Sequence, residues 1–137
     1  MKTVQLKEGI YEVGAVDWNE RSFHGYATPR GVTYNAYLVV DEKIALIDTV
    51  KAPFAGELLD RIAQVVDPAR IDYIVSNHAE PDHSGALPRV LQAAPRARVV
   101  AADPAGVKTV SGHYGTPMEF LAVKAGQSLS LGRRELV

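Results

Sequence analysis

Short apolar runs separated by Gly, Asn and charged residues make up the N-terminal part of the chain. These runs predict strands at residues 9–14, 35–40 and 44–48. The second and third runs are joined by the charged triplet at 41–43, which predicts a hairpin with its turn there. Residues 21–31 are so rich in Gly and Pro that we expect an ordered loop without regular structure.

The period of the apolar positions changes after Pro53. Phe54, Leu58 and Ile62 recur at helical spacing, with charged residues between them, so the pattern predicts an amphipathic helix. Pro53 suits the first helical turn. Pro68 ends the helix, because proline disfavours helical geometry in the residue before it.

Strands and helices alternate in the remainder of the chain. Strands are predicted at residues 71–75, 99–102, 118–123 and 128–137, and helices at residues 85–94 and 105–114. The last strand pattern is interrupted at Gly132-Arg133. Leading strands followed by this alternation are typical of an α/β layered fold with an antiparallel element at one edge of the sheet. The last predicted strand is cut off by the final residue, so we expect the chain to be the N-terminal part of a longer protein.

Composition and charge narrow the class of protein. The 137 residues, 47% apolar and 23% charged, suit one domain or part of one. Fifteen Lys and Arg balance sixteen Asp and Glu without a block of like charge, so neither nucleic acid nor an anionic membrane is an expected partner. No apolar stretch approaches the roughly 18 to 20 residues of a membrane span, and no signal peptide is recognisable, so a cytoplasmic protein is expected. The chain has no Cys, so any metal must be bound by His and carboxylates.

Four potential metal ligands, His78, Glu80, Asp82 and His83, lie within six positions directly after the predicted strand at 71–75. In open α/β sheets, ligands bind at the carboxyl ends of strands, which is where this cluster falls. Side chains two residues apart in an extended chain point to the same side, so His78, Glu80 and Asp82 form one series. The adjacent proline and Ser-Gly turn would aim Asp82 and His83 at a second ion.

A solvated polar loop is the alternative interpretation, but the density of ligand types favours a metal site. Two imidazoles and two carboxylates without sulfur suit iron, manganese or zinc and do not select one of them. The segment from His78 to His83, His-Ala-Glu-Pro-Asp-His, resembles the His-x-His-x-Asp-His motif of the metallo-β-lactamase superfamily. Glu80 replaces the second His, and a carboxylate is a harder ligand that favours iron over zinc.

Followed by Ser-Gly, this variant resembles the flavodiiron proteins, which are oxygen and nitric oxide reductases. The resemblance extends over the whole chain and includes residues 17–19, 23–26, 28–31 and 33–38. It implies a metallo-β-lactamase-like αββα sandwich. Residues 1–137 would be its incomplete N-terminal half, a partial diiron domain. The C-terminal half and a flavodoxin-like FMN domain would be absent.

The resemblance also implies a role for each member of the motif. His78 and Glu80 would bind one iron, and Asp82 and His83 would bind the other. His24 would stand near the open side of the iron pair, and Asp48 would orient a ligand imidazole. The alternatives are a locally packed His24 and an Asp48 that only caps the following turn.

The implied reaction is reduction of O₂ to water, of NO to N₂O, or of both, at two non-haem irons. FMN in the full-length protein, not bound by this segment, would deliver electrons from rubredoxin or a flavin reductase, in a head-to-tail homodimer. With half of the ligands missing, the chain by itself would be inactive. Two alternatives stay open: a dinuclear zinc hydrolase of the same superfamily, and a catalytically inactive fragment or binding module.

Overall fold

The computed structural model describes all 137 residues, and a seven-stranded mixed sheet forms its centre. Its order is β1-β2-β7-β8-β9-β10-β11, antiparallel from β1 to β8 and parallel from β8 to β11. The strands are β1 Val4–Lys7, β2 Ile10–Glu12, β3 Ala15–Asp17, β4 Ser22–Phe23, β5 Tyr26–Ala27, β6 Val32–Tyr34, β7 Tyr37–Val40, β8 Ile44–Ile47, β9 Tyr73–Val75, β10 Arg98–Ala102, β11 Phe120–Val123, β12 Leu129–Ser130 and β13 Glu135–Leu136. The α-helices are α1 Ala55–Ala63, α2 Pro81–Ser84, α3 Leu87–Ala93 and α4 Ala105–Tyr114, and short 3-10 turns occupy Ala52–Phe54 and Pro68–Arg70.

Most of the predicted elements are confirmed. β7 and β8 form the expected hairpin, in which Val40 pairs with Ile44 across the turn at 41–43. The amphipathic helix is α1, and it buries Leu58 and Ile62 completely. Helix α4 has the predicted bounds.

Two predictions of irregular or extended chain were wrong. Within residues 21–31, β4 and β5 form a small hairpin whose turn residues, His24 and Gly25, have φ of 49° and 81°. Left-handed turn residues suit a two-residue hairpin because their twist matches that of the strands. Residues 128–137 form another hairpin, β12–β13, and not a single strand, because the chain reverses at the predicted interruption, where Gly132 has φ of 119°.

The main core lies between one face of the sheet and three helices. It contains 20 buried residues, among them Leu46 and Ile74 from the sheet and Leu58, Leu87 and Val110 from α1, α3 and α4. The β12–β13 hairpin covers part of the opposite face, where Leu131 packs on Val39 and Ala45. Beside it an apolar groove of about 550 Å³ is lined by residues of four adjacent strands, β8 to β11. None of the helices combines the length and the apolar character that crossing a membrane requires.

Candidate metal centre

The ends of two neighbouring parallel strands bring the candidate residues together. Ile47 of β8 is in register with Val75 of β9, and the N–H of Asp48 donates to the carbonyl of Val75 at 2.8 Å. Asp48 therefore leaves the sheet beside the segment that leads into the motif. Its Oδ1 accepts the backbone N–H of Asn77 and its Oδ2 accepts the Asn77 side-chain amide, each at 2.9 Å. The carboxylate does not serve merely as a cap for its own turn.

The motif bends at Pro81, and this overturns the predicted extended series through Asp82. Glu80 is extended, with φ −64° and ψ 141°, and α2 begins at the next residue. Proline fixes φ at a helical value and needs no hydrogen-bond acceptor in the first turn, so it starts a helix readily. The N–H groups of His83 and Ser84 both donate to the carbonyl of Glu80 at 2.9 Å. The side-chain alternation ends at Glu80, and Asp82 and His83 are presented by a helical turn.

All four predicted ligands lie together at this end of the sheet. His78 Nδ1 is 3.7 Å from Glu80 Oε2, and His83 Nε2 is 3.3 Å from Asp82 Oδ2. The rings of His78 and His83 approach to 4.1 Å between centroids. The contacts run both within and across the two pairs that the family resemblance implies, since the His78 and His83 rings lie close together, as do the Glu80 and Asp82 carboxylates. Which ion each residue binds stays a prediction.

Residues that follow β8 contact both the side chain and the backbone carbonyl of His83. Its Nδ1 is 3.0 Å from Asp48 Oδ2, and its carbonyl accepts the N–H and the hydroxyl of Thr49 at 2.6 and 2.9 Å. An ionised Asp48 accepts the hydrogen on Nδ1, which leaves the Nε2 lone pair, on the Asp82 side, available to a cation. Asp48 is in the arrangement expected of a carboxylate that orients a ligand imidazole.

His24 reaches the motif from the turn of the β4–β5 hairpin. Its ring nitrogen and the carboxylate oxygens of Glu80 and Asp82 lie within 4.8 Å of one another. The Phe23 ring packs on the His24 imidazole with 4.2 Å between centroids. The hairpin therefore places His24 closer to the motif than sequence spacing alone could indicate, since 54 positions separate it from His78.

Two residues near the motif, Ser84 and Tyr114, make contacts that were not anticipated from the sequence. The hydroxyl of Ser84 lies 2.9 Å from the carbonyl of Ala79 and 3.0 Å from that of Glu80. Carbonyl oxygens only accept, so the single hydroxyl hydrogen of Ser84 is directed at them. The Tyr114 hydroxyl, 2.6 Å from the Ser84 oxygen, therefore donates to it. Ser84 is adjacent to the motif and could have been suspected, whereas nothing in the sequence connects Tyr114 of α4 with this loop.

The donor set fits a transition-metal dication. The His24 imidazole and the carboxylates of Glu80 and Asp82 converge within 4.8 Å, and the imidazoles of His78 and His83 each contact one of these carboxylates. The set contains no sulfur, as suits iron, manganese and zinc. Exposure differs across the cluster: the Glu80 and His78 side chains are 58% and 44% exposed, whereas Asp82 and Asp48 are 12% and 8% exposed. The cluster is buttressed on the sheet side and open on the other side.

Comparison with known proteins places the chain in a family. A family model described as "ODP family beta lactamase" matches residues 32–137. The chain belongs to that family. The fold is accordingly that of the N-terminal part of a metallo-β-lactamase-like domain, as the sequence predicted.

The chain is similar in sequence and structure to flavodiiron proteins. A nitric oxide reductase of Moorella thermoacetica is 48% identical over 97% of this chain and 34% of its own length. The rubredoxin:oxygen oxidoreductase of Desulfovibrio gigas superposes with a TM-score of 0.92 at 46% identity, over 98% of this chain and 34% of that one. The flavodiiron protein of Giardia intestinalis gives 0.92 at 37% identity, over 98% and 33%. The chain spans about a third of the length of these relatives.

Proposed function

We propose that this chain supplies one part of the dinuclear iron site of a flavodiiron oxidoreductase that reduces O₂ to water, NO to N₂O, or both. The observation that carries the proposal is the convergence of the imidazoles and carboxylates of His78, Glu80, Asp82 and His83 at one end of the sheet. Support comes from relatives named as a nitric oxide reductase and a rubredoxin-oxygen oxidoreductase.

Four side chains would bind the irons, and two others would orient a ligand or contact the reactant. His78 and Glu80 would hold one iron, and Asp82 and His83 the other. When bound, the irons would supply a redox-active Lewis-acid centre. Asp48 would keep the His83 ring in the orientation that presents Nε2 to the metal. His24, on the exposed side of the cluster, would donate a hydrogen bond from its imidazole to the oxygen-containing reactant.

The remaining parts of the reaction belong to a longer protein. Further ligands, FMN and a head-to-tail homodimer would complete the active enzyme, and rubredoxin or a flavin reductase would supply electrons to it in the cytoplasm. By this proposal the chain alone binds metal but does not turn over O₂ or NO.

Metal reconstitution tests the proposal directly. The full chain is incubated without oxygen with Fe(II), with Zn(II) or with an equal mixture, freed of loose metal, and assayed for iron and zinc per chain. Iron should be retained, and Glu80→Ala should weaken retention, whereas Glu8→Ala, at an exposed turn far from the motif, should not. Failure to retain Fe(II) offered alone, together with retention of Zn(II), would favour the hydrolase, and retention of neither metal would contradict a metal site.

A further inference from the structure

Lys51 belongs to a segment, residues 48–51, that contacts both sides of the candidate metal centre. It lies three residues after Asp48, on the segment whose Asp48 and Thr49 hold His83. Its Nζ reaches the other side, 2.9 Å from Glu20 Oε2. Glu20 precedes the hairpin that carries His24 at its turn. One stretch of four residues therefore contacts both the ligand loop and the His24 hairpin.

Two aromatic rings lie beside the Lys51 ammonium group. Its Nζ lies 5.1 Å from the centroid of Phe23 and 5.3 Å from that of Tyr34, a distance at which a cation is attracted to the ring face. Phe23 in turn packs on the His24 imidazole. The side-chain path from Lys51 to His24 thus has a single intermediate, the Phe23 ring.

The acidic partner of Lys51 is itself fixed in place. Asp17 Oδ1 accepts the N–H groups of Asn19 and Glu20 at 3.0 and 3.1 Å, and its Oδ2 accepts the Tyr34 hydroxyl at 3.0 Å. The ion pair with Lys51 lowers the pKa of Glu20, and the hydrogen bond to Glu20 raises the pKa of Lys51. Both groups therefore stay charged over a wide range of pH.

The hairpin turn needs such support. His24 has φ of 49°, a left-handed conformation that is uncommon for residues other than Gly, although His, Asn and Asp adopt it more often than the rest. A residue in that region persists when the surrounding structure determines its conformation. The hairpin pairs only two residues of each strand, so its own ladder contributes little.

We propose that Lys51 is a positioning residue: its pairing with Glu20 and its packing on Phe23 latch the β4–β5 hairpin so that His24 faces Glu80 and Asp82. The proposal rests on the proposed function, because it assigns His24 to the same metal centre. The segment from Asp48 to Lys51 then aligns His83 at one end and His24 at the other.

The test compares Lys51→Met, Lys51→Arg and Glu20→Gln in the full chain. Lys43→Met is the matched control, since Lys43 also pairs with a carboxylate, Asp72, but away from the site. The first readout is the time-resolved fluorescence anisotropy of Trp18, the single tryptophan, which lies just before Glu20. The second readout is the affinity for Fe(II), titrated without oxygen, and the third is the thermal unfolding midpoint.

Lys51→Met should increase the fast component of the Trp18 anisotropy decay. It should also weaken Fe(II) binding by about tenfold, because His24 would no longer face the Glu80 and Asp82 carboxylates that would hold the metal. Lys51→Arg, which keeps the ion pair, should give wild-type values of both readouts, and Lys43→Met should change neither. Met at position 51 combined with Gln at position 20 should be no worse than the single change at 51, because both remove one interaction.

Unchanged Trp18 motion and Fe(II) affinity in Lys51→Met would overturn the latch. Equal losses in Lys51→Met and Lys43→Met, in parallel with a lower unfolding midpoint, would also overturn it, because they would reflect stability alone. A wild-type chain that binds no Fe(II) would refute the proposed function instead. The anisotropy comparison would then decide by itself whether Lys51 holds the hairpin.

Discussion

Two residues of the candidate metal centre, His24 and Asp48, are the only non-glycine residues of the chain with positive φ, 49° and 56°. A left-handed conformation costs an L-residue about 1 to 2 kcal/mol, so it persists where other contacts compensate. Asp48 has such contacts, since its two carboxylate oxygens accept from Asn77 and His83. At this site backbone conformation and side-chain bonding therefore depend on each other.

Replacing Asp48 with Asn tests its role at the residue scale. Asn also tolerates the left-handed conformation, so the backbone should be kept while the anionic acceptor for His83 is lost. We expect Fe(II) affinity to fall by about 10 to 100 times, as it does for other partners of ligand imidazoles. Asp60→Asn, on the exposed side of α1, is the control. Equal affinity in the two variants would remove Asp48 from the site.

Glu80 tests the argument from ligand hardness. Glu80→His restores the usual superfamily motif, and replacing a carboxylate with an imidazole should shift the metal preference from iron toward zinc. Competition between Fe(II) and Zn(II) for the variant, with Glu8→His as the control, measures the shift. An unchanged preference would show that position 80 does not select the metal.

The residues of the site were predictable to the extent that they are close in sequence. His78, Glu80, Asp82 and His83 stand out because they share six positions after a strand. His24 and Asp48 entered only through family resemblance, since no local pattern links them to the motif. The contacts of Lys51 and Tyr114 depend on the packing of distant elements and leave no local signal.

At the scale of the element, the position of the β12–β13 hairpin also depends on contacts between residues that are distant in sequence. It is fastened to the β7–β8 turn by Asp41, whose Oδ2 accepts the backbone N–H of Arg134 at 2.7 Å and whose Oδ1 lies 3.4 Å from Arg133 Nε. Burial opposes ionisation of Asp41, but hydrogen bonds from the N–H groups of Arg134 and Glu42 and from Arg133 outweigh it and lower its pKa.

This lowered pKa predicts an acid-sensitive contribution of Asp41 to stability. The contribution is complete above the ordinary value of 3.8 and is lost as the pH falls through the lower folded value. Asp41→Asn should lower the thermal midpoint at neutral pH, and the gap from wild type should narrow in acid below that ordinary value. Asp60→Asn should leave the midpoint near that of wild type at neutral pH. A constant gap for Asp41→Asn at every pH would contradict the prediction.

Elements with a long local pattern were predicted well and short ones were not. Helix α4 and the β7–β8 hairpin were identified from periodicity and turn residues. The four-residue helix α2 and the β4–β5 hairpin were missed, since neither is long enough to show a period. Their conformations depend on Pro81 and on left-handed turn residues, together with contacts to other elements.

At the scale of the whole molecule, the site depends on the centre of the sheet. Ile74 of β9 is completely buried between β8 and β10, and β9 leads directly into the ligand loop. Ile74→Ala should lower the free energy of unfolding by about 2 to 5 kcal/mol, and Ile74→Val by about 0.5 to 1.5 kcal/mol. Urea unfolding measures both values. A loss below about 1 kcal/mol for alanine would place the core elsewhere.

The pairing of β8 with β9 limits which insertions and deletions the candidate metal centre can accept. Asp48 comes immediately after the last rung of β8, and His78 comes three residues after the last rung of β9. Side chains on a strand change sides at every step. Adding or deleting one residue in β8 would therefore turn the carboxylate after it toward the opposite layer of the protein, even though the ladder could re-form. These two short strands must therefore keep their residue count.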